Sequence, residues 1–273
     1  MQILDDMNDC TGCSACFNVC PKAAIEMKSD VEGFKFPVID ADKCVNCGLC
    51  REVCPVVSAR FENSAAPACY AAQGSDELRA ASSSGGAFGI LAESVLKEGG
   101  AVAGAVFRED WTVEHVVVDK MDELWRLRGS KYMQSKPGDI YRKAYHWLME
   151  NPEKELLFVG MGCQSDGFRK FSEIKGIRDR AYIVDIICHG SPSPKLWREY
   201  AESVQKKDGK ITFLTFKDKR NGWKSPTAYV KVNGEEKSIK DYVKVFYNRC
   251  ALRPSCYELS LIHISEPTRQ EAI

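Results

Sequence analysis

Two cysteine runs near the beginning of the chain constrain its fold more strongly than any other feature. They are Cys10-x2-Cys13-x2-Cys16-x3-Cys20-Pro21 and Cys44-x2-Cys47-x2-Cys50-x3-Cys54-Pro55. Every cysteine of the second run follows its counterpart in the first by 34 residues. A cubane 4Fe–4S cluster is held by four thiolates, three of which come from a tight loop of this spacing. The repeat therefore predicts two such clusters.

The fourth cysteine of each run is expected to bind the cluster of the other run, as in two-cluster ferredoxins. The first quartet is then Cys10, Cys13, Cys16 and Cys54. The second quartet is Cys44, Cys47, Cys50 and Cys20. Between the runs, residues 24–28 and 34–39 predict two strands joined by a turn at Glu32-Gly33. Gly12 and Gly48 lie in or beside the loops, where the backbone must come close to the metal.

Zinc and disulfides are the alternative uses of so many cysteines, 13 in 273 residues. Zinc sites usually combine two close cysteine pairs that are far apart, not four cysteines within eleven residues, twice. A disulfide framework is typical of secreted chains, and the first ten residues have no basic n-region and no apolar h-region. Both alternatives are less favoured. Because exposure to oxygen damages such clusters, we expect a cytoplasmic protein from an anaerobe.

Charge and hydropathy argue against two classes of protein, nucleic-acid binders and proteins that span a membrane. Lys plus Arg and Asp plus Glu both number 38, so the formal net charge is zero, which argues against a strongly basic nucleic-acid binder. No apolar run approaches the ~20 residues that a membrane span needs. We therefore expect neither a nucleic-acid partner nor a membrane span.

Changes in composition divide the chain into segments. We expect a two-cluster ferredoxin domain at residues 1–56, a linker at 57–68 and an incomplete mixed α/β domain at 69–258, which makes the fold class α+β. Residues 259–269 (LSLIHISEPTR) correspond to a translated transposase-type sequencing adapter. Residues 259–273 are therefore expected to be an adapter-derived tail on a chain cut short after Glu258. The alternative is a genuine short strand and a frayed end.

A turn rich in serine and glycine precedes a helix predicted at residues 87–97. Its candidate cofactor-binding residues are Ser83, Ser84, Gly85 and Gly86. Such a turn offers free N–H groups to an anion, which indicates a phosphate cradle for a flavin or a nucleotide. The alternative is an ordinary serine N-cap. Lys131, in the segment Gly129–Ser135 (GSKYMQS), is a further candidate for an anionic ligand, the alternative being a solvated loop.

Three apolar segments predict further strands, at residues 102–107, 156–159 and 182–187, and a weaker pattern predicts a fourth at 69–72. Cys163 follows the second of these segments and Cys188 the third. Because ligands bind at the carboxyl ends of parallel strands, the two cysteines are expected to face each other there, as part of a third cluster or a redox centre. The alternative is a pair of small buried residues.

The ordered set of segments resembles the coenzyme F420-reducing hydrogenase/dehydrogenase beta-subunit family, in the form with a two-cluster ferredoxin domain. The matching segments are residues 82–107, 127–135 (LRGSKYMQS), 157–171, 184–200, 220–223 (RNGW) and 252–258 (LRPSCYE). The resemblance implies an oxidoreductase subunit in which FAD exchanges a hydride with coenzyme F420 or a similar carrier and clusters carry single electrons onward. It also adds Cys256 to Cys163 and Cys188 as candidates for a third 4Fe–4S cluster. Implied partners are a redox protein or hydrogenase and dehydrogenase subunits.

Three functions compete at this point, and no catalytic residue is assigned. The leading hypothesis is an iron–sulfur flavoprotein oxidoreductase. The alternative is an electron-transfer module without flavin, which docks a separate catalytic partner. A third option, a cluster-containing transferase or assembly protein, has no motif behind it.

Overall fold

The computed structural model describes residues 2–58, 68–222 and 225–258. Most of the predicted linker and the whole predicted adapter tail, residues 259–273, lie outside the described residues.

The N-terminal region is built around one hairpin and two short helices. Its elements are α1 (Ala15–Val19), β1 (Ile25–Ser29), β2 (Lys35–Ile39) and α2 (Leu49–Glu52), with a 3-10 turn at Met7–Asp9. Strands β1 and β2 pair antiparallel, with Ile25 opposite Ile39. The carboxylate of Asp30 accepts hydrogen bonds from the N–H groups of Glu32 and Phe34, which closes the turn. The predicted strands and their turn are therefore confirmed.

The sequence repeat is also a repeat in backbone conformation. Gly12 and Ser14 in the first loop have φ of 71° and 63°, and their counterparts 34 residues later, Asn46 and Gly48, have 54° and 80°. Left-handed residues on both sides of the middle cysteine turn the chain around a common centre. The two loops are thus two copies of one metal-binding conformation.

A four-stranded sheet forms the centre of the second region. Its strands are β3 (Ala101–Phe107), β4 (Val113–Val118), β5 (Leu156–Met161) and β6 (Ala181–Ile186), in the order β4-β3-β5-β6. Strand β5 pairs parallel with both β3 and β6, while β4 is an antiparallel edge strand. The predicted parallel strands are confirmed. Residues 69–72 form no strand, because the backbone there pairs with no neighbouring strand and Gly74 instead donates its N–H to Gly85.

Helices cover both faces of this sheet. They are α4 (Ala87–Lys97), α5 (Ile140–Glu150) and α6 (Gly162–Ile174), with 3-10 turns at Met121–Leu127 and Arg178–Arg180. The short helix α3 (Asp76–Ala80) precedes α4 and has no buried residue. Helix α4 has the bounds that the sequence predicts, because Gly86 and Gly99 both adopt positive φ at its ends. On its face, Ala92 and Leu96 pack against the 3-10 turn at Met121–Leu127. Helices α5 and α6 cover the opposite face.

A second, three-stranded antiparallel sheet follows. The remaining elements are α7 (Pro194–Asp208), β7 (Ile211–Asp218), β8 (Thr227–Val232), β9 (Glu235–Ser238), α8 (Lys240–Tyr247) and α9 (Ser255–Glu258). Helices α7 and α8 enclose an aromatic core with this sheet, in which Trp197 and Phe216 pack edge-on at 5.5 Å between ring centroids.

The cysteine-rich region and the main sheet share one hydrophobic core. Val19 and Val53 from the first region are buried in the same cluster as Tyr141, Phe158 and Phe168 from the second. Helix α1 packs on both α5 and α6. The predicted α+β fold class is confirmed. Within the described ranges, every helix is too short or too polar to cross a lipid bilayer.

Candidate metal centres and cofactor site

The structure brings the first quartet together as the sequence predicts. Cys54 joins Cys10, Cys13 and Cys16 around a small cavity that Ile3 and Leu4 also line. All four cysteines are buried. The fourth cysteine of each run thus lines the cavity of the other run, an arrangement that we call the crossover. It follows from the fold, because the hairpin folds the second run back onto the first and α1 packs against α2.

The second quartet surrounds a similar cavity nearer the surface. Cys20 lines it with Cys44, Cys47 and Cys50. Cys50 is buried, but Cys47 is exposed. The N–H of Ala24, which also lines this cavity, donates to the sulfur of Cys20 at 3.3 Å and helps to fix the position of that thiol. The two quartets therefore differ mainly in their access to solvent.

Both quartets fit a cluster better than a single ion. Within the described ranges, no three His, Cys, Asp or Glu side chains converge closely enough to hold one metal ion. In a 4Fe–4S cluster each thiolate binds a different iron, so the four sulfurs surround an inorganic core instead of meeting at a point. Two cavities each lined by four cysteines match this requirement.

The thiols of the first quartet are held in a dry environment. Burial, together with the neighbouring Cys54, raises the pKa of Cys13 to about 12. Burial likewise raises the pKa of Cys16 well above its ordinary value. Opposing this, the N–H groups of Gly12 and Ala15 donate to the sulfurs of Cys10 and Cys13 and favour the thiolates. Because iron binds thiolates, binding of a cluster at this site must release the protons of the thiols. The positive charge of the iron then stabilises the thiolates, which are buried away from water.

The structure also brings Cys163, Cys188 and Cys256 together, and we call them the cysteine trio. Cys163 is the second residue of α6, which directly follows β5, and Cys188 follows the adjacent parallel strand β6. Cys256 arrives because residues 191–193 pair with residues 251–253. Ser193 donates its N–H to Ala251 at 2.7 Å, and Arg253 donates to Ser191 at 2.9 Å. The three thiols are close enough that charge on Cys188 or Cys256 raises the pKa of Cys163, after the larger effect of burial.

The trio lies beside the first quartet, across helix α6. Charge on Cys13 also raises the pKa of Cys163. The hydroxyl of Tyr141 lies 2.8 Å from the carbonyl oxygens of both Cys13 and Gln164, and donates its one proton to either. Gly167 of α6 faces the sulfur of Cys13, since a Cβ there would lie 3.1 Å from it. Close contact between the cysteine loop and α6 thus depends on a glycine.

Replacing Gly167 with alanine should disturb the first quartet. The added methyl would lie 3.1 Å from both the Cys13 sulfur and the Tyr141 hydroxyl, so a packed neighbour must move. Overpacking of this kind typically costs about 1–3 kcal/mol, against a gain of up to about 1 kcal/mol from alanine in a helix. We expect a lower iron content and faster loss of iron to a chelator. Wild-type iron content and chelation rate would contradict this.

The serine–glycine turn and the Lys131 segment are brought into contact. Ser130 donates its N–H to the Ser83 hydroxyl at 2.8 Å. Helix α4 begins after its N-cap Gly86, which has φ of 90° and no side chain that could accept from the first turn. The ordinary serine N-cap is therefore not what forms here. The first N–H groups of α4 are left for another acceptor, which fits an anionic group such as a flavin phosphate.

Lys131 is directed at its own loop. Its ammonium donates to the carbonyl oxygens of Leu127, Arg128 and Gly129 at 3.2, 2.9 and 3.1 Å. Burial lowers its pKa to about 8. In this arrangement Lys131 shapes the loop that carries Ser130 and does not present its charge to a ligand. Ser84 and Gly85 lie in the same turn, where Ser84 offers its carbonyl oxygen to Lys219 at 3.3 Å.

Two further buried groups, His115 and Arg253, have no role predicted from the sequence, since neither belongs to a recognisable ligand spacing, although Arg253 lies in the matching segment 252–258. His115 on β4 stacks on Phe158 at 5.6 Å, and its Nε2 lies 3.2 Å from the carbonyl oxygen of Val159. Its Nδ1 is buried without a hydrogen-bond partner in the described structure. Cys69 and Cys250 are exposed and line neither quartet cavity.

His115 should make the protein sensitive to acid. Burial lowers its pKa to about 4, so between pH 6.5 and pH 4 the unfolded chain binds more protons than the folded one. Stability is therefore lost as pH falls, by about 2 kcal/mol between pH 7 and pH 5. Anaerobic urea unfolding of His115→Leu should show a shallower loss, while exposed His146→Gln controls for removing an imidazole elsewhere. Equal slopes in wild type and His115→Leu would contradict this.

Three family descriptions match successive parts of the chain. A 4Fe-4S dicluster domain matches residues 9–58. The N-terminal part of the coenzyme F420 hydrogenase/dehydrogenase beta subunit matches residues 69–138. The C-terminal part of the same subunit matches residues 153–259. The first match contains both quartets, the second contains the serine–glycine turn and Lys131, and the third contains the cysteine trio.

One solved structure with a similar chain is the xenon-derivatised F420-reducing [NiFe] hydrogenase complex from Methanosarcina barkeri. The identity is 16%, the TM-score is 0.41, and the alignment covers 63% of this chain and 60% of that chain. This chain therefore spans less than two thirds of the length of the chain that it matches. No curated protein matches it.

Proposed function

Because this chain belongs to the coenzyme F420 hydrogenase/dehydrogenase beta-subunit family and carries a 4Fe-4S dicluster domain, we propose that it is an iron–sulfur flavoprotein subunit. In this role it moves electrons between a hydride carrier, coenzyme F420 or a similar molecule, and iron–sulfur clusters. Its partners are then the hydride carrier and a redox protein or further hydrogenase or dehydrogenase subunits.

The observation that carries the proposal is the spatial order of three cysteine sites: the trio at the main sheet, the buried first quartet, and the second quartet near the surface. Cys163 and Cys188 of the trio follow β5 and β6, and α6, which carries Cys163, also carries Gly167, where a Cβ would lie 3.1 Å from the sulfur of Cys13 of the first quartet. Helix α1 then links the first quartet to the second, since it contains Cys16 and ends before Cys20. The second quartet includes the exposed Cys47. Such an order suits electrons that enter at the sheet and leave at the surface.

The residues of the chain serve this transfer in two ways. Bound 4Fe–4S clusters supply one-electron transfer, and the hydrogen bonds and solvent exposure of their sulfurs set the potentials. The buried first quartet keeps water away, and the N–H groups of Gly12 and Ala15 favour its thiolates. At the second quartet, the exposed Cys47 offers the shortest approach for a partner protein.

A bound flavin supplies the conversion between a hydride and single electrons. In this chain, the N–H groups at the beginning of α4 would hold its phosphates, next to Ser83, Ser84, Gly85 and Gly86. Ser130 positions the Ser83 hydroxyl beside them. Lys131 contributes by holding the loop that carries Ser130.

One observation favours the second candidate, an electron-transfer module without flavin. The Lys131 ammonium donates to three carbonyl oxygens of its own loop, so its hydrogen bonds are not directed at a cofactor. In that case the region after residue 68 would serve to dock a catalytic partner, and the clusters alone would carry electrons.

Iron and flavin per chain, measured after anaerobic purification of the full-length protein, separate the two candidates. One flavin with about eight or twelve iron atoms, and clusters that a hydride donor reduces without a partner, would support the flavoprotein. About eight iron atoms without flavin would favour the carrier. Coenzyme F420 and nicotinamide donors are then tested in turn.

A charge-matched pair of variants tests the flavin site directly. Ser83→Asp places a carboxylate at the proposed phosphate site, and should remove flavin while leaving iron unchanged. Ser75→Asp is the control, because Ser75 caps α3 by accepting from the N–H of Leu78 and aspartate caps equally well. Unchanged flavin in Ser83→Asp would refute the proposed site.

A further inference from the structure

The guanidinium of Arg253 contacts the loop of the first quartet at Cys10, and Arg253 precedes Cys256 of the cysteine trio by three residues. The residue is fully buried, with 0% of its surface exposed. Its Nη1 donates to the carbonyl oxygen of Cys10 at 2.8 Å, and its Nη2 donates to that of Lys35 at 2.9 Å. The rings of Phe34 and Phe36 flank it, with centroids 4.9 and 4.7 Å from Cζ. It is therefore a cation held in a dry and largely apolar setting.

Among the described residues, no carboxylate forms an ion pair or a hydrogen bond with this buried charge. In the described part of the chain no ion pair includes Arg253, and its hydrogen-bond acceptors are neutral carbonyl and amide oxygens. The ionisable groups that interact with it are Cys10, Cys163, Cys256 and the more weakly acting Asp30. A buried and uncompensated charge is costly. Thiolates on either side would therefore supply the missing anions.

The segment around Arg253 also joins the two sites mechanically. The Ser255 hydroxyl donates to the same carbonyl oxygen of Cys10, at 3.1 Å. Cys256 is the next residue, so that one short segment grips the first loop and ends in a trio cysteine. Gly12 gives the guanidinium room, since a Cβ there would lie 2.7 Å from Nη2.

We propose that Arg253 is a positioning residue that acts as the shared counter-cation of the first quartet and the cysteine trio, and raises the reduction potentials there. This rests on the proposed function, namely that these cysteines hold clusters. Each electron taken up at either site adds one negative charge. A cation at short range in a dry interior favours that charge much more than it would in water. The exposed second quartet, where water screens charge, should feel it least.

Redox titration of the anaerobically purified and loaded protein, followed by electron paramagnetic resonance, tests this. Arg253→Gln should shift the potential of the first-quartet cluster to more negative values and leave that of the second-quartet cluster in place. Arg253→Lys keeps the charge and should restore most of the wild-type potential. Arg180→Gln is the control, because Arg180 also donates to carbonyl oxygens, those of Leu148, Asn151 and Pro152, in a loop outside both quartets. It should lower stability without moving either potential.

A second variant keeps the test decisive if Arg253→Gln fails to fold. Gln134 lies 3.4 Å from Nε of Arg253 through its Oε1. Gln134→Glu leaves the arginine in place and neutralises it, and should produce a negative shift of the same cluster. Wild-type potentials in both Arg253→Gln and Gln134→Glu would overturn the inference while leaving the proposed function intact. A wild-type chain that binds no iron would refute the proposed function, and this inference with it.

Discussion

Replacing Cys54 with serine is expected to remove the cluster of the first quartet, although Cys54 belongs to the second cysteine run. Cys54 lines the cavity with Cys10, Cys13 and Cys16, whereas the other cysteines of its own run line the other cavity, namely Cys44, Cys47 and Cys50. The reciprocal variant, Cys20→Ser, should remove the second-quartet cluster. Each variant should lose about four iron atoms per chain.

The surviving cluster in each variant identifies which site was lost. Cys20→Ser keeps the buried cluster, so its remaining iron should react slowly with a chelator. Cys54→Ser keeps the cluster next to exposed Cys47, and its iron should react fast. The exposed Cys69, which lines neither cavity, provides the control, and Cys69→Ser should retain all of its iron. A slow-reacting cluster in Cys54→Ser would mean that each run holds its own cluster and that the crossover is wrong.

The second large effect is expected from Gly12→Ala, compared with Gly48→Ala. Both glycines have positive φ, 71° and 80°, so alanine costs roughly 1 kcal/mol at either position. At Gly12 the new Cβ would also lie 2.7 Å from Nη2 and 2.9 Å from Cζ of Arg253. At Gly48 no heavy atom in the described structure comes within 4 Å. Only Gly12→Ala must therefore displace a buried cation.

Displacing that cation breaks its hydrogen bonds to Cys10 and Lys35 and leaves a charge poorly compensated. Breaking a buried charge network typically costs about 3–5 kcal/mol. We expect Gly12→Ala to lose about that much unfolding free energy in anaerobic urea titration, together with first-quartet iron. Gly48→Ala should lose about 1 kcal/mol. Equal losses in the two variants would show that backbone strain alone accounts for both glycines.

Local patterns predicted the local structure well. Strands β1, β2, β3, β5 and β6 and helix α4 lie where alternation, apolar runs and flanking glycines indicate them. Each of these signals depends on neighbours within a few residues, and so can be read without the fold. The strand predicted at residues 69–72 is wrong because strand formation depends on more than near neighbours. A short apolar stretch becomes a strand only when another strand is present to pair with it.

The cysteine repeat by itself determined the most important property of this protein, a dicluster region with a predicted exchange of fourth ligands. Metal ligands impose a spacing on the sequence that little else imitates, so the chemistry is legible before folding. The tertiary structure decided how that region is used. It packs α1 on α5 and α6, turns the Lys131 ammonium onto its own loop, and brings Arg253 to a carbonyl oxygen 243 residues away. Burial and long-range contact create these relations, and no short stretch of sequence encodes either of them.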